Sequence, residues 1–484
     1  MKNGDFGKLF CKKVSHKRFK MLQSSSMEVI MLMRFSISNF MSFGYGVDEI
    51  GEIAPTEYHL YAGRSEQHKE RVIHYRQRKV LKFSSIYGAN ASGKTNLIRA
   101  IDTGKKIVLN TMDGMDLYDK FCRSNHDNAQ QPTLFEYEFT IGNRCFAYGF
   151  TVCLREHTVL SEWLYEMKST EECVIFERLV EEEQYYFDEN LFHDKENREQ
   201  FHFFMKDANH MNTTLLLHEI KRRKLKEEDF EIFNKVFDWF KYKLVVIYPE
   251  TKIGASYFLF GSDNKKLVNI LKYLDTGITD YSMRIMNETA FKEYFSDELM
   301  AEKFLRKPDN NTVASKSILK FGNTLFELDY DEVGTKKIVK LLFQHGKDES
   351  SYEYGEESDG TQRLIELLDV ILNDDEEKVF IIDELDRSLH PQMTIKFVET
   401  FLKFSEEKNT QLIITTHESN LMDLNILRRD EIWFAEKETD NHTNLYTLEK
   451  FKIRYDKVVS KDYLAGRYGA VPVFKDFEYV WGRQ

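Results

Sequence analysis

Apolar residues recur along this chain at two periods, and the change of period divides it. Between residues 33 and 180 the pattern alternates, as in Arg34-Phe35-Ser36-Ile37-Ser38-Asn39-Phe40, Phe135 to Phe139, Arg144 to Leu154 and Val159 to Met167. Period two in aromatic and β-branched residues predicts strands, with Gly142-Asn143 as a hairpin turn between two of them. Met41-Ser42-Phe43-Gly44 reads as a turn after the first strand. From about Glu181 the charge density rises and apolar positions fall three and four apart, as in Leu215 to Lys243 and Lys265 to Tyr273. Residues 181–335 are therefore expected to form a mostly helical insertion. No heptad persists long enough for a coiled-coil arm. Strand texture returns near Ile318 and at Ile338 to Gln344, and again at Glu431 to Ala435 and Asn444 to Leu448.

Three short segments read as strands without following either period. They are Val80 to Tyr87, Val379 to Ile382 and Leu412 to Ile414. Such runs fit strands buried on both faces, as in a parallel sheet. Each ends in residues that carry chemistry. The first runs into Gly88-Ala89-Asn90-Ala91-Ser92-Gly93-Lys94-Thr95, a full match to G-x-x-x-x-G-K-[ST], with a helix expected from Asn96 to Ile101. Its glycines let backbone N–H groups close around phosphate oxygens, Lys94 reaches the β- and γ-phosphates, and Thr95 holds Mg²⁺. The candidate nucleotide-binding positions are Gly88, Asn90, Ser92, Gly93, Lys94, Thr95 and Asn96. The second run ends in Asp383-Glu384, and the third in Thr415-Thr416-His417. Upstream of the acidic pair, Glu357-Ser358-Asp359-Gly360-Thr361 opens an apolar helix, Leu364 to Leu372. A helix start with small residues presents free N–H groups, which suits a phosphate. A further helix is expected from Met393 to Phe404.

In this order the elements resemble an ATP-binding-cassette ATPase of the soluble branch that includes RecF and SMC proteins. Within that branch the chain is similar to the AAA-family ATPases of bacterial phage defence, the RloA and AbiL-like group. The closer likeness is carried by Glu357 to Thr361, by Asp383-Glu384-Leu385-Asp386-Arg387-Ser388-Leu389-His390-Pro391 and by Gly466-Arg467-Tyr468-Gly469. It covers both ends of the chain and is weaker across the middle. The resemblance implies an α/β fold, an ABC-type P-loop NTPase head of mixed sheet, flanking helices and an antiparallel lobe. That head would be assembled from residues 33–180 and 336–450 around the insertion, between a basic tail at 1–32 and a second tail at 451–484. It also implies roles. Asp383 would hold Mg²⁺ through its water shell, Glu384 would orient or deprotonate the attacking water, and His417 would contact the γ-phosphate. Ser358 and Gly360 would bind the γ-phosphate of ATP held by the opposite subunit, with Asp386 and Ser388 at the seam of a homodimer or higher homo-oligomer. The family signature is usually Leu-Ser-Gly-Gly-Gln, so Asp359 brings a carboxylate close to phosphate. A glutamine that senses Mg²⁺ is also implied, with Gln130 and Gln131 as candidates.

Composition narrows the partners. The 484 residues carry a net charge of -12, with 42% hydrophobic and 31% charged residues. A chain of this kind folds into a core and is no general coat for nucleic acid. Nucleic acid remains possible at two local basic stretches, Arg64 to Lys82 and Lys221-Arg222-Arg223-Lys224 with Lys226. The five cysteines, Cys11, Cys122, Cys145, Cys153 and Cys173, show no metal-ligand spacing and fit a reducing cytoplasm. No apolar run reaches membrane-spanning length, so no membrane partner is expected. Outside the ATPase motifs no set of residues with nuclease spacing stands out. The expected activity is thus an ATPase switch controlling a separate effector, a nuclease or toxin. The alternative is a RecF-like repair ATPase that binds DNA with ATP. An ATPase fused to a metal-dependent nuclease domain would need more than the roughly 65 residues after His417.

Overall fold

The structure is a computed structural model that describes residues 29–49, 51–168, 171–210, 212–223, 228–251, 264–305, 315–330, 336–346, 350–372, 377–406, 408–453 and 457–471. Of the expected tail at 1–32, residues 1–28, Cys11 among them, lie outside the described residues, as does the chain beyond 471, whereas Met31 and Leu32 belong to the first strand. The strands of the first half are β1 (Met31–Ser38), β2 (Thr56–His59), β3 (Val72–Tyr75), β4 (Arg78–Leu81), β5 (Phe83–Tyr87), β6 (Thr133–Ile141), β7 (Arg144–Cys153), β8 (Thr158–Met167), β9 (Glu172–Leu179) and β10 (Gln184–Phe187). Those of the second half are β11 (Leu244–Ile247), β12 (Ile278–Met286), β13 (Ser315–Phe321), β14 (Thr324–Tyr330), β15 (Lys336–His345), β16 (Ser351–Tyr352), β17 (Val379–Ile382), β18 (Gln411–Thr415), β19 (Ile432–Lys437) and β20 (Thr443–Thr447). The helices are α1 (Lys94–Leu109), α2 (Lys195–His210), α3 (Leu216–Arg222), α4 (Glu231–Asp238), α5 (Asn264–Tyr273), α6 (Glu288–Lys292), α7 (Glu298–Leu305), α8 (Asp359–Leu372), α9 (Pro391–Phe404) and α10 (Val459–Leu464).

The described residues fall into two compact units. The first takes the chain up to Val246, Glu377–Asp383 and everything from Ser405 onward. It holds two main sheets. One is antiparallel, in the order β10-β9-β8-β7-β6-β1-β2, and the other runs β11-β17-β18-β5-β19-β20. In the second sheet β17, β18, β5 and β19 are mutually parallel, and every residue of β5, β17 and β18 is buried. Strands covered on both faces have no solvent side to show, which is why β17 reads as a continuous apolar run and why the polar residues of β5 and β18 are themselves buried. Alternation on β6 has the opposite meaning. Phe135, Tyr137 and Phe139 point into the core, where the Tyr137 hydroxyl donates to the Ile101 carbonyl of α1 at 2.7 Å. Glu136 and Glu138 point the other way, to Arg34 of β1, which also binds Glu57 at 2.6 Å. The buried amide of Gln411 ties the sheets together, accepting from Leu32 N at 2.9 Å and donating to the carbonyls of Leu32 and Leu81. The turn after β1 closes with Phe40 and Phe43 exchanging backbone hydrogen bonds. Asn39 enters it at φ 55°, and its side chain binds the backbone of Cys122, Asn128 and Gln131.

The expected helical insertion does not begin a new unit at 181. Helices α2, α3 and α4 belong to the first unit, and a buried ion pair fixes α2 and α3 to the antiparallel sheet. Arg178 and Glu162 are fully buried, 2.8 Å apart. Arg178 donates to the carbonyls of Ala208 and Thr214, and Glu162 accepts from Leu216 N, Leu217 N and the Tyr148 hydroxyl. The second unit spans Ile247–Glu376 and Glu384–Phe404, and the 181–335 segment brings strands to it as well as helices. Its sheet runs β12-β15-β14-β13, with β16 on β15. Phe291, Phe295, Phe326, Leu328 and Ile338 form a core between that sheet and α6–α7. The alternation in Ile278–Met286 and Thr324–Tyr330, not the charge density, decides their conformation.

The Arg178–Glu162 pair yields the first prediction. Arg178→Met would leave Glu162 charged and buried, and is expected to cost about 3–5 kcal/mol of stability. Urea unfolding followed by circular dichroism measures it. An unchanged first transition would mean that the pair does not anchor α2 and α3.

Candidate functional site

Strand β5 delivers the chain into the phosphate loop. Ala91 (φ 62°) and Gly93 (φ 106°) take left-handed conformations, so the loop turns back before α1 begins. Gly88 is required for a different reason. A Cβ there would lie 2.4 Å from the Ala435 carbonyl and 2.5 Å from Ser92 Oγ. The Lys94 ammonium folds back over the loop, donating to Gly88 O at 2.8 Å and Ala89 O at 3.1 Å. Ser92 Oγ is buried with no hydrogen-bond partner, and Asn90 stands exposed. Asn96, expected at the nucleotide, instead donates its amide to Ser42 Oγ at 2.9 Å.

The parallel register brings three strand ends to one edge. Ile382 pairs with Ile414, and Thr415 pairs with Ile86. Asp383, the Thr415-Thr416-His417 turn and Gly88 therefore emerge side by side, the usual place for a ligand in such a sheet. Asp383 is 2% exposed. Its Oδ1 lies 3.3 Å from Thr95 Oγ1 and accepts from Thr415 Oγ1 at 2.5 Å. A hydroxyl and a carboxylate oxygen, with no nitrogen or sulfur, are the donors that Mg²⁺ prefers, so these residues fit that ion. The sequence marks Thr415 as a strand end but gives it no role; its bond to Asp383 is found only once strand register is known. His417 is exposed just beyond it, and the Thr416 N–H bonds to Ile86 O at 3.2 Å.

Glu384 follows Asp383 at φ 48°. A non-glycine residue held there carries strain on the order of 1–3 kcal/mol, which recurs at functional sites. Ser388 is also left-handed, at φ 65°. In the second unit Ser358 caps α8, its hydroxyl accepting from Thr361 N at 3.2 Å. This cap starts the helix at Asp359, one turn before the apolar pattern begins. A Cβ on Gly360 would lie 2.9 Å from Ser388 O, so the structure brings Ser358, Gly360 and Ser388 together within this unit. Arg363 of α8 was not singled out in the sequence. Its guanidinium is buried without a hydrogen bond, 3.7 Å from Glu366, and desolvation pushes its pKa down while Glu366 opposes the shift.

Other candidates are engaged elsewhere. Gln130 is exposed at the end of a 3-10 turn. The described part of the basic run is paired within the chain: Lys221 with Asp238, Arg222 with Glu219, and Arg223 with Asp207. Lys224 and Lys226 lie outside the described residues. In the other stretch, Lys82 is buried on the carbonyls of Ser405 and Lys408, and Arg71 binds Ile426 O. Cys122, Cys145, Cys153 and Cys173 are free thiols. Among the described residues no helix is long and apolar enough to cross a membrane.

A phosphate loop set beside a buried aspartate in a parallel sheet is the arrangement of a P-loop NTPase domain. The chain belongs to the AAA_21 family, described as "AAA domain, putative AbiEii toxin, Type IV TA system", which it matches over residues 83–242 and 254–423. No curated protein matches it. Solved structures that resemble it include an SMC head bound to the C-terminal winged-helix domain of ScpA, at 12% identity, 86% of this chain, 97% of that chain and TM-score 0.38. An SMC head domain from Thermotoga maritima matches at 12% identity over 87% of this chain and 99% of its own, with TM-score 0.35. The SMC head from Pyrococcus furiosus with an extended coiled coil, bound to the ScpA C-terminal domain, matches at 14% identity over 88% and 98%, with TM-score 0.33. At these scores the likeness is distant, and the assignment stands on strand order, site and family.

Lys94→Ala is expected to weaken ATP binding by at least about 100-fold, since it removes a charge-assisted contact to phosphate. Calorimetry with ATP, beside the melting temperature without nucleotide, separates lost binding from unfolding. Unchanged affinity would remove Lys94 from the site.

Proposed function

We propose that this chain is a Mg²⁺-dependent ATP hydrolase, converting ATP and water to ADP and phosphate, that dimerises through its nucleotide. The observation that carries the reading is the Asp383 carboxylate lying beside the Thr95 hydroxyl at the end of the phosphate loop. Lys94 binds the β- and γ-phosphates. Thr95 and Asp383 hold Mg²⁺, which when bound neutralises phosphate charge. Glu384 orients the attacking water and takes its proton, and His417 donates to a γ-phosphate oxygen. Ser358 and Gly360 offer the α8 N-terminus to the nucleotide of the opposite subunit, with Asp386 and Ser388 at the seam. Pre-set donors and charges of this kind stabilise the transferring phosphoryl group.

The wider role is that of a sensor or switch in an antiviral, abortive-infection system of the cytoplasm, akin to the RloA and AbiL-like group. The family description, with its toxin–antitoxin wording, supports that setting. ATP binding or hydrolysis shifts a two-state arrangement of the heads, and a separate nuclease or toxin from a neighbouring gene reads the shift. The RecF-like alternative has less support, because Lys221, Arg222 and Arg223 already hold carboxylates of their own chain.

Glu384→Gln is expected to bind ATP, turn it over at least about 100-fold more slowly and accumulate as a dimer in sedimentation with ATP. Adding Ser358→Arg is expected to return it to the monomer. Hydrolysis by Glu384→Gln at the parental rate would place the base elsewhere. The effector is tested by phage challenge of cells carrying this gene with and without its genomic neighbour. Protection is expected only with both genes; full protection by this chain alone would refute a separate effector.

A further inference from the structure

We propose that Thr443 and Ser42 are positioning residues for the phosphate loop: a chain of hydroxyls running through them orients the Ser92–Gly93 peptide so that its N–H faces the nucleotide phosphates. The proposal rests on the nucleotide reading of residues 88–95 and deepens it. Three segments distant in sequence meet here. Thr443, the first residue of β20, places its Oγ1 2.9 Å from the Ser92 carbonyl and 2.7 Å from Ser42 Oγ. Ser42 Oγ also accepts from the Asn96 amide at 2.9 Å, and the Thr443 N–H bonds to Ser42 O at 2.8 Å. The Thr443 hydroxyl is the donor to both the Ser92 carbonyl and Ser42 Oγ, sharing its single proton between them, while Ser42 Oγ accepts from Thr443 and from Asn96.

The consequence follows from peptide geometry. In a trans peptide the carbonyl of one residue and the N–H of the next point in opposite directions. Holding Ser92 O on Thr443 turns the Gly93 N–H away from the hairpin and into the loop. Without the Thr443 hydroxyl, that carbonyl loses its partner and the peptide is free to rotate about the flanking Ser92 and Gly93 dihedrals, at which glycine offers little resistance. The relay also occupies the space beside Gly93. A Cβ there would lie 2.0 Å from Thr443 Oγ1 and 2.9 Å from Ser42 Oγ. Thr443 is only 4% exposed, so water does not readily replace its hydroxyl. The hairpin turn is itself anchored, with His442 Nε2 2.7 Å from Ser124 Oγ and His442 Nδ1 2.9 Å from Asp440.

The test is calorimetry of the full chain with Mg²⁺ and either ADP or a non-hydrolysable ATP analogue. Thr443→Val keeps the shape and removes the hydroxyl. It is expected to weaken both nucleotides by about tenfold, the scale of one hydrogen bond. Both are affected alike because they share the phosphates that the loop holds. The melting temperature without nucleotide is expected to fall by no more than the loss of one buried hydrogen bond accounts for, Thr443→Ser to restore affinity, and Ser42→Ala to act in the same direction as Thr443→Val. Parental affinity in Thr443→Val would overturn the proposal. So would a loss of affinity that tracks a fall in melting temperature and is not rescued by serine, which would mark a merely structural residue. If the parental chain binds neither nucleotide, the underlying nucleotide reading fails first and this proposal falls with it.

Discussion

One oxygen of Asp383 accepts hydrogen bonds from two hydroxyls, and those bonds impose a constraint on most of the first unit. Thr95 and Asp383 are separated by 288 positions in the chain. They meet only if β17, β18 and β5 lie parallel and in register, with Ile382 opposite Ile414 and Thr415 opposite Ile86. A slip of one residue would turn Asp383 to the other face of the sheet. A buried carboxylate is costly unless hydrogen-bonded, and Thr95 and Thr415 supply the compensation. The sheet register and the site chemistry are thus one requirement seen at two scales. Gln411, the buried first residue of β18, extends the same requirement to β1 of the antiparallel sheet.

Much of this was visible in the sequence, because strand ends in a parallel sheet leave a linear signature. An apolar run followed at once by Gly88, by Asp383 or by Thr415 is readable without coordinates. What lies across the sheet is not. Thr415 sits in the third run as an ordinary strand residue, and only its neighbour's register gives its hydroxyl a partner. Ser42 and Thr443 are further from view, since nothing in their local sequence marks them as neighbours of Gly93. The segment 181–335 was read by charge density, and the short alternating stretches that became β12 and β14 were outweighed by the helices around them. Charge misled in a second way at Lys221 to Arg223. The partner Glu219 is three residues before Arg222 and could be inferred from helix geometry. Asp238 and Asp207 come from other helices and could not.

The position of β5 has a consequence for the order in which the protein can be made. This strand and its phosphate loop leave the ribosome early, yet both neighbours of β5 in the sheet, β18 and β19, come from beyond residue 410. Until they are synthesised, β5 has no ladder partners, Asp383 has no Thr415, and Gly88 and Ser92 lack the carbonyl and hydroxyl that crowd them from Ala435 and Thr443. A nascent chain that has completed every residue of the phosphate-loop motif still lacks the assembled site. Such non-local closure is slow, and it leaves a strand that is buried along its whole length in the finished fold waiting for cover. That delay confines a completed phosphate site to finished molecules.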